Sequence, residues 1–411
     1  MKKIVIVGML LCLLTGCGDR TELEEEAFVV VMGIDKAKEK GSIDVTYQIA
    51  NPQVGSTDRS KAENEPPSEI ITITAPDLST ARQMANISIT RKVMLSHVKV
   101  LIVGEKLARS KKLLGVLEPA TKERELRRDV VFIVSKEKAS TFIRKTRSPL
   151  ETRPHKYYDM LIKRWKETGF VPISTFEMYM RETAHDAGAF LATYGTSYKR
   201  KTEYKTSEED ENVAGEERIE TESNTQMLGS AVFKEGEMIG KLTGEETRII
   251  EGIRHQGEAR KTLTTYQDPI KKSFRIGAGV EVTKKPKIKV VNARPGPKIN
   301  IDVPLKVDIL AVPSLINYST NARHSYTLKK SIEDELEKEA NKIAEKSQKK
   351  YKLDLFDAYS VARRHFWTMK QYEHYDWMKS YPDGDITIRY HVTLTQFGKQ
   401  LKPTNLRLIR D

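Results

Sequence analysis

The side chain best placed for chemistry is the Cys17 thiol, which follows Leu14, Thr15 and Gly16. Small residues before a cysteine open the Gly16–Cys17 peptide bond to a processing enzyme, and the thiol is a nucleophile able to take a diacylglyceryl group. Upstream, Lys2 and Lys3 precede an apolar run of 11 residues from Ile4 to Leu14. That is well short of the roughly 20 residues a spanning helix needs. Residues 1–16 therefore read as a signal peptide, Leu14-Thr15-Gly16-Cys17 as its lipobox, and Cys17 as the lipid attachment point. Two acyl chains hold stably where one anchors only marginally. The expectation is an exported chain tethered to the outer face of the cytoplasmic membrane.

Other chemistry is hard to find. Gly236 to Leu242 has three residues between its glycines and ends Gly240-Lys241-Leu242. A phosphate loop needs four such residues and a hydroxyl after the lysine. Gly277-Ala278-Gly279 stops short of a dinucleotide fingerprint, and neither a G-x-S-x-G elbow nor an H-E-x-x-H zinc pair occurs. The eight histidines are scattered; His365 and His374 have no carboxylate at ligand spacing, and His391 falls on the polar face of its predicted strand. Asp35 at a strand end reads either as a catalytic carboxylate or, more commonly, as a turn residue. Phe366, Trp367, Tyr372, Tyr375 and Trp377 read either as a partner surface or as the packing of a final helix. No catalytic, cofactor-binding or metal-binding residue is assigned, and no cofactor is expected.

Cysteine usage fits the tether. Cys12 leaves with the signal peptide and Cys17 is consumed by lipid, so the mature chain is expected to lack disulfides, thiolate metal sites and a cysteine nucleophile. The net charge of +13 falls to +11 without Lys2 and Lys3. For an exported chain this suits anionic headgroups or wall polymers rather than nucleic acid, although solvation of the surface explains most positions equally well.

Over the 411 residues, length and apolar periodicity predict two or three domains of α+β class. Residues 17–198 read as a mixed α/β domain. It starts with a hairpin (27–35 and 42–50) and a long exposed loop at 51–69, then alternates strands at 70–74, 97–103 and 130–134 with helices at 77–89, 106–117 and 136–146. Helices are also predicted at 155–167 and 174–181. Residues 199–224 read as a charged linker or exposed loop. A small middle domain follows at 225–275, with a hairpin turning at Glu235-Gly236-Glu237 and a helix behind Thr243. The C-terminal domain, 276–411, is predicted as an antiparallel sheet covered by a long helix. Ile299 to Ile309 alternate with polar residues; Pro304 suggests an edge or bulge there. A helix is predicted over 331–350, with helical character continuing over 355–368, a turn at 382–385 and a last strand from Ile386 to Leu394.

Several pieces in order resemble the C-subunit lipoproteins of spore germinant receptors. They are Leu14 to Arg20 with Glu24 to Phe28 and Val31 to Asp35, then Gly229 to Phe233 with Gly240 to Thr247, then the helix from Ser331 into Tyr351 to Phe356. The chain departs from the family at Gly18, where tryptophan is frequent. The resemblance implies a three-domain protein without catalysis on the outer face of the spore inner membrane. It also implies two integral membrane partners, the receptor A and B subunits, and a role in nutrient-triggered germination. The alternative is a lipid-anchored solute- or wall-binding protein, which should show two similar lobes around a cleft.

Overall fold

The computed structural model describes residues 25–51, 66–122, 125–146, 150–151, 153–185, 187–198, 212–217, 219, 225–254, 261–292 and 295–395. The predicted signal peptide, the lipobox with Cys17 and most of 199–224 lie outside the described residues. Nine strands form the first sheet: β1 (Glu26–Lys36), β2 (Ile43–Ala50), β3 (Ser68–Ala75), β4 (Lys92–Met94), β5 (Val100–Gly104), β6 (Val131–Ser135), β7 (Phe190–Thr196), β8 (Gln226–Lys234) and β9 (Glu237–Leu242). Their order is β3-β2-β1-β5-β6-β7-β8-β9, with β4 also against β1. β1, β5, β6 and β7 run parallel, and antiparallel hairpins extend the sheet at both ends. The central strands read as unbroken apolar runs because both their faces are covered.

Alternate side chains of those strands enter different cores. Val29, Met32, Leu101, Val103, Phe132 and Val134 pack beneath α1 (Leu78–Ser88), α2 (Glu105–Ala108), α3 (Lys112–Leu117) and, with the interposed α4 (Ala139–Lys145) and α5 (Pro154–Thr168) on the opposite face, α6 (Phe176–Ala184). On that opposite face Val30, Val31, Val100, Ile102 and Ile133 meet Phe142 and Ile143 of α4 and Trp165 of α5. Asp77 caps α1, accepting a hydrogen bond from Thr80 N at 2.8 Å. The single helix expected over 106–117 is instead two. Ser110 N closes a short turn on Leu107 O, while its hydroxyl accepts from Lys112 N, so serine diverts the backbone locally.

Segment 225–275 serves both sheets. Its hairpin, β8 and β9, turns at Glu235 and Gly236, both with positive φ, as a two-residue hairpin requires. β8 pairs with β7, so the ladder continues across the charged stretch. Part of that stretch packs on it, since Ala214 is buried and its N–H donates to Leu228 O. Behind β9, Thr243 and Glu246 cap α7 (Gly244–Arg254) reciprocally. β10 (Lys261–Gln267) then enters the second sheet.

That five-stranded sheet adds β11 (Arg275–Val282), β12 (Lys287–Val291), β13 (Lys298–Ala311) and β14 (Asp385–Leu394). β10 to β13 are antiparallel, whereas β14 departs from the all-antiparallel expectation and runs parallel to β13. The long α8 (Ala322–Lys346) lies between them in the chain and carries it back to the starting end. α8 starts nearer the N-terminus than its apolar stripe suggested, because Asn321 accepts from the N–H groups of Arg323 and His324. Pro304 sits neither on an edge strand nor at a bulge. Along one side of β13, β12 pairs through Asp302 and β11 from Leu305, so proline falls where one neighbour gives way to the other. The helical continuation over 355–368 is broken by the left-handed backbone at Lys352 and Asp357, leaving α9 (Ala358–Ala362), α10 (Met369–Tyr375) and α11 (Trp377–Ser380).

Candidate functional site

The most heavily built polar arrangement lies where the two sheets meet. Leu191, Val232 and Leu242 of the first sheet, with Ala189 just before β7, share one apolar core with Ile249, Ile250 and Ile253 of α7 and with the face of the second sheet. Into this core the last residue of α7 sends Arg254. Its Nε donates to Leu355 O at 2.8 Å, its Nη2 to Ala189 O at 3.1 Å, and Asp357 lies 3.4 Å away. A buried guanidinium keeps its charge, so the two carbonyls and the carboxylate are what make the position tolerable.

Asp354 is fully buried beside it and accepts from Phe356 N at 2.9 Å and Tyr359 N at 2.8 Å, which shapes the turn into α9. Burial, reinforced by the charge of Asp357, pushes its carboxyl up to about 7 against those two bonds and Arg254. Further ties cross the same seam. Lys346 of α8 reaches both carboxylate oxygens of Glu246 at 2.7 Å, and Tyr351 OH donates to Lys241 O at 2.7 Å. The ring of Tyr351 lies against Gly240, where a Cβ would stand 2.3 Å from Cε1. At the rim is an open cleft of about 420 Å³ lined by His185, Tyr359, Ser360, Arg363 and Arg364.

A second cluster joins β7, α2 and β9. Tyr194 OH donates to Glu105 at 2.6 Å, and Lys241 and Arg109 approach the same carboxylate at 3.0 and 2.8 Å. Burial would raise Glu105, but these donors outweigh it and hold the carboxyl below its usual range. Burial and Glu105 together push the Tyr194 hydroxyl up. A neutral phenol on a saturated carboxylate is neither nucleophile nor base; the cluster is a clasp.

The residues singled out from sequence separate cleanly. Asp35 is buried and accepts from Ala139 N at 2.7 Å and Ser140 N at 3.0 Å, so from the end of β1 it caps the start of α4. Burial raises its carboxyl despite those bonds. His365 and His374 are exposed, and His391 lies 3.1 Å from Asp302 on the open sheet face. Of the aromatic five, Phe366, Tyr372, Tyr375 and Trp377 pack in a chain of rings with centroids 5.5 to 6.4 Å apart, while Trp367 points to solvent. Sequence reasoning missed Arg254, Asp354 and Glu246. Only the charge of Arg254 at the end of an apolar helical stripe hinted at its burial. Among the described residues no helix is long and apolar enough to cross a membrane.

Comparison with known proteins matches residues 19–196 to the spore germination protein N-terminal domain and residues 228–398 to the spore germination B3/GerAC-like C-terminal domain. Spore germination protein B3 of Bacillus subtilis (strain 168) is 23% identical over 405 residues, covering 95% of this chain and 96% of that protein. Spore germination protein KC of the same strain is 27% identical over 157 residues, 37% of this chain and 38% of that relative. The crystal structure of the GerBC protein superposes with a TM-score of 0.52 at 17% identity, covering 88% of this chain and 96% of that one.

Proposed function

Since the chain belongs to the GerAC-like family of spore germination proteins, we propose that it is the lipid-anchored C subunit of a nutrient germinant receptor, with an assembly and signalling role rather than a catalytic one. The observation that carries the reading is the succession of both family domains along one chain, covering 19–196 and 228–398. The polar clusters of the fold agree with it in kind. They join elements to one another, and the seam through Arg254 links the two sheets. In this reading Cys17 carries the diacylglyceryl group, the body rests on the outer face of the spore inner membrane, and the integral A and B subunits are its partners.

Fractionation of spore membranes tests the reading. The wild-type chain is expected in the membrane fraction, labelled by acyl precursor and copurifying with two integral membrane proteins after detergent extraction. Cys17→Ala should abolish the label. A wild-type chain that is unacylated and copurifies with no integral membrane protein would overturn the proposal.

A further inference from the structure

Residues 363 to 370 read Arg-Arg-His-Phe-Trp-Thr-Met-Lys, without an acidic side chain. They leave the seam at the cleft, then turn back into α10. Trp367 is 95% exposed and Met369 47% exposed. Neither is on a loose strand of chain. Gln371 Oε1 accepts from the N–H groups of Trp367 at 3.0 Å and Thr368 at 3.3 Å, and Thr368 Oγ1 accepts from Gln371 N, a closed capping box. The neighbouring Phe366 is pinned inward against Tyr372 and Tyr375. The fold thus fixes the backbone on both sides of an indole and presents that indole to solvent, flanked by the exposed Arg363, Arg364 and Lys370.

We propose that this surface contacts an anionic lipid bilayer, with Trp367 and Met369 entering the headgroup region and Arg363, Arg364 and Lys370 meeting lipid phosphates. Indole suits that depth because its body is apolar and its N–H still finds a partner. Cations beside it gain from the negative leaflet. A protein partner fits less well. Protein interfaces pair cations such as these with acidic neighbours in a polar rim, whereas residues 363 to 370 carry three cations and no acidic side chain, as an anionic headgroup layer requires. The contact rests on the membrane placement proposed above, though not on acylation, and it would orient the tethered body so that the rim of the seam faces the membrane.

Vesicle binding by the processed chain, with Cys17→Ser so that no acyl group is present, tests this directly. Of the three tryptophans, Trp165 and Trp377 are 7% and 2% exposed, so a blue shift and quenching by brominated lipid report Trp367. We expect both with phosphatidylglycerol-containing vesicles and neither with phosphatidylcholine alone. Trp367→Ala should remove the quenching. Arg363→Gln with Arg364→Gln should weaken binding about 25-fold, at roughly fivefold per basic residue near an anionic surface. All three positions are exposed, so these variants keep the fold. No binding to anionic vesicles, or binding that leaves Trp367 unquenched, would overturn the proposal. The vesicles contain no receptor subunit, so that failure leaves the receptor reading to be judged by copurification.

Discussion

Replacing Asp354 by asparagine should make the protein more stable at alkaline pH and abolish part of its pH dependence. The carboxyl stands at about 7 in the folded chain against 3.8 when unfolded. The folded state therefore holds this proton more tightly. As pH rises from about 4 to about 7 the unfolded chain loses the proton first, and stability falls; above about 7 the loss is complete. Between about pH 5 and pH 8 the wild type should lose about 3 kcal/mol through this group, at 1.36 kcal/mol per pKa unit. Asparagine keeps the acceptor for Phe356 N and forfeits the one for Tyr359 N, which costs about 1 kcal/mol. The variant should thus trail the wild type by about 1 kcal/mol at about pH 5 and lead it by about 2 kcal/mol at about pH 8. Urea unfolding followed by tryptophan fluorescence reads both values, with the slope of each transition checked for constancy. Parallel pH profiles for the two proteins would refute the assignment of a buried, proton-holding Asp354.

Other expectations follow from single contacts. Gly240→Ala should destabilise by about 1–3 kcal/mol, because Tyr351 must leave its place against β9; a thermal melt unchanged from wild type would show that the seam yields there freely. Asp268 is buried and accepts from the N–H groups of Ile270 and Lys271 and from Ser314 and Tyr318. Asp268→Ala should speed amide exchange over residues 268–275 and 312–318, with little change in β1 to β7. Glu333 and Glu337 of α8 accept the outward N–H groups of Val392 and Tyr390, closing the edge of β14. Replacing both with alanine should expose that edge and promote self-association by light scattering; a strictly monomeric variant would show that the edge is covered otherwise.

The elements were largely legible in the residues themselves. Asp77, Thr243 and the Glu235-Gly236 turn announce their caps and hairpin because local hydrogen bonding alone determines them. The alternation through Ile299 to Ile309 marks β13 because one face is buried and the other wet. What local pattern does not carry is partnership. β8 pairs with β7 and β14 runs parallel to β13 through contacts between residues far apart in the chain, and nothing within either strand distinguishes the alternatives. The seam was illegible for the same reason. Arg254, Asp354 and Glu246 look like surface charges until Leu355, Ala189 and Lys346 are brought to them. Trp367 was part of an ambiguous cluster, and only the fold separates it from the four aromatics that pack inward.

The measurement that bears most directly on the receptor reading is germination of spores deleted for this chain, scored one nutrient at a time by dipicolinate release and repeated with Cys17→Ala in place. The account predicts loss of the response to at least one nutrient with other germination routes intact, and failure of the Cys17→Ala chain to restore it. Full responses to every nutrient in spores that carry no other member of this family would contradict it.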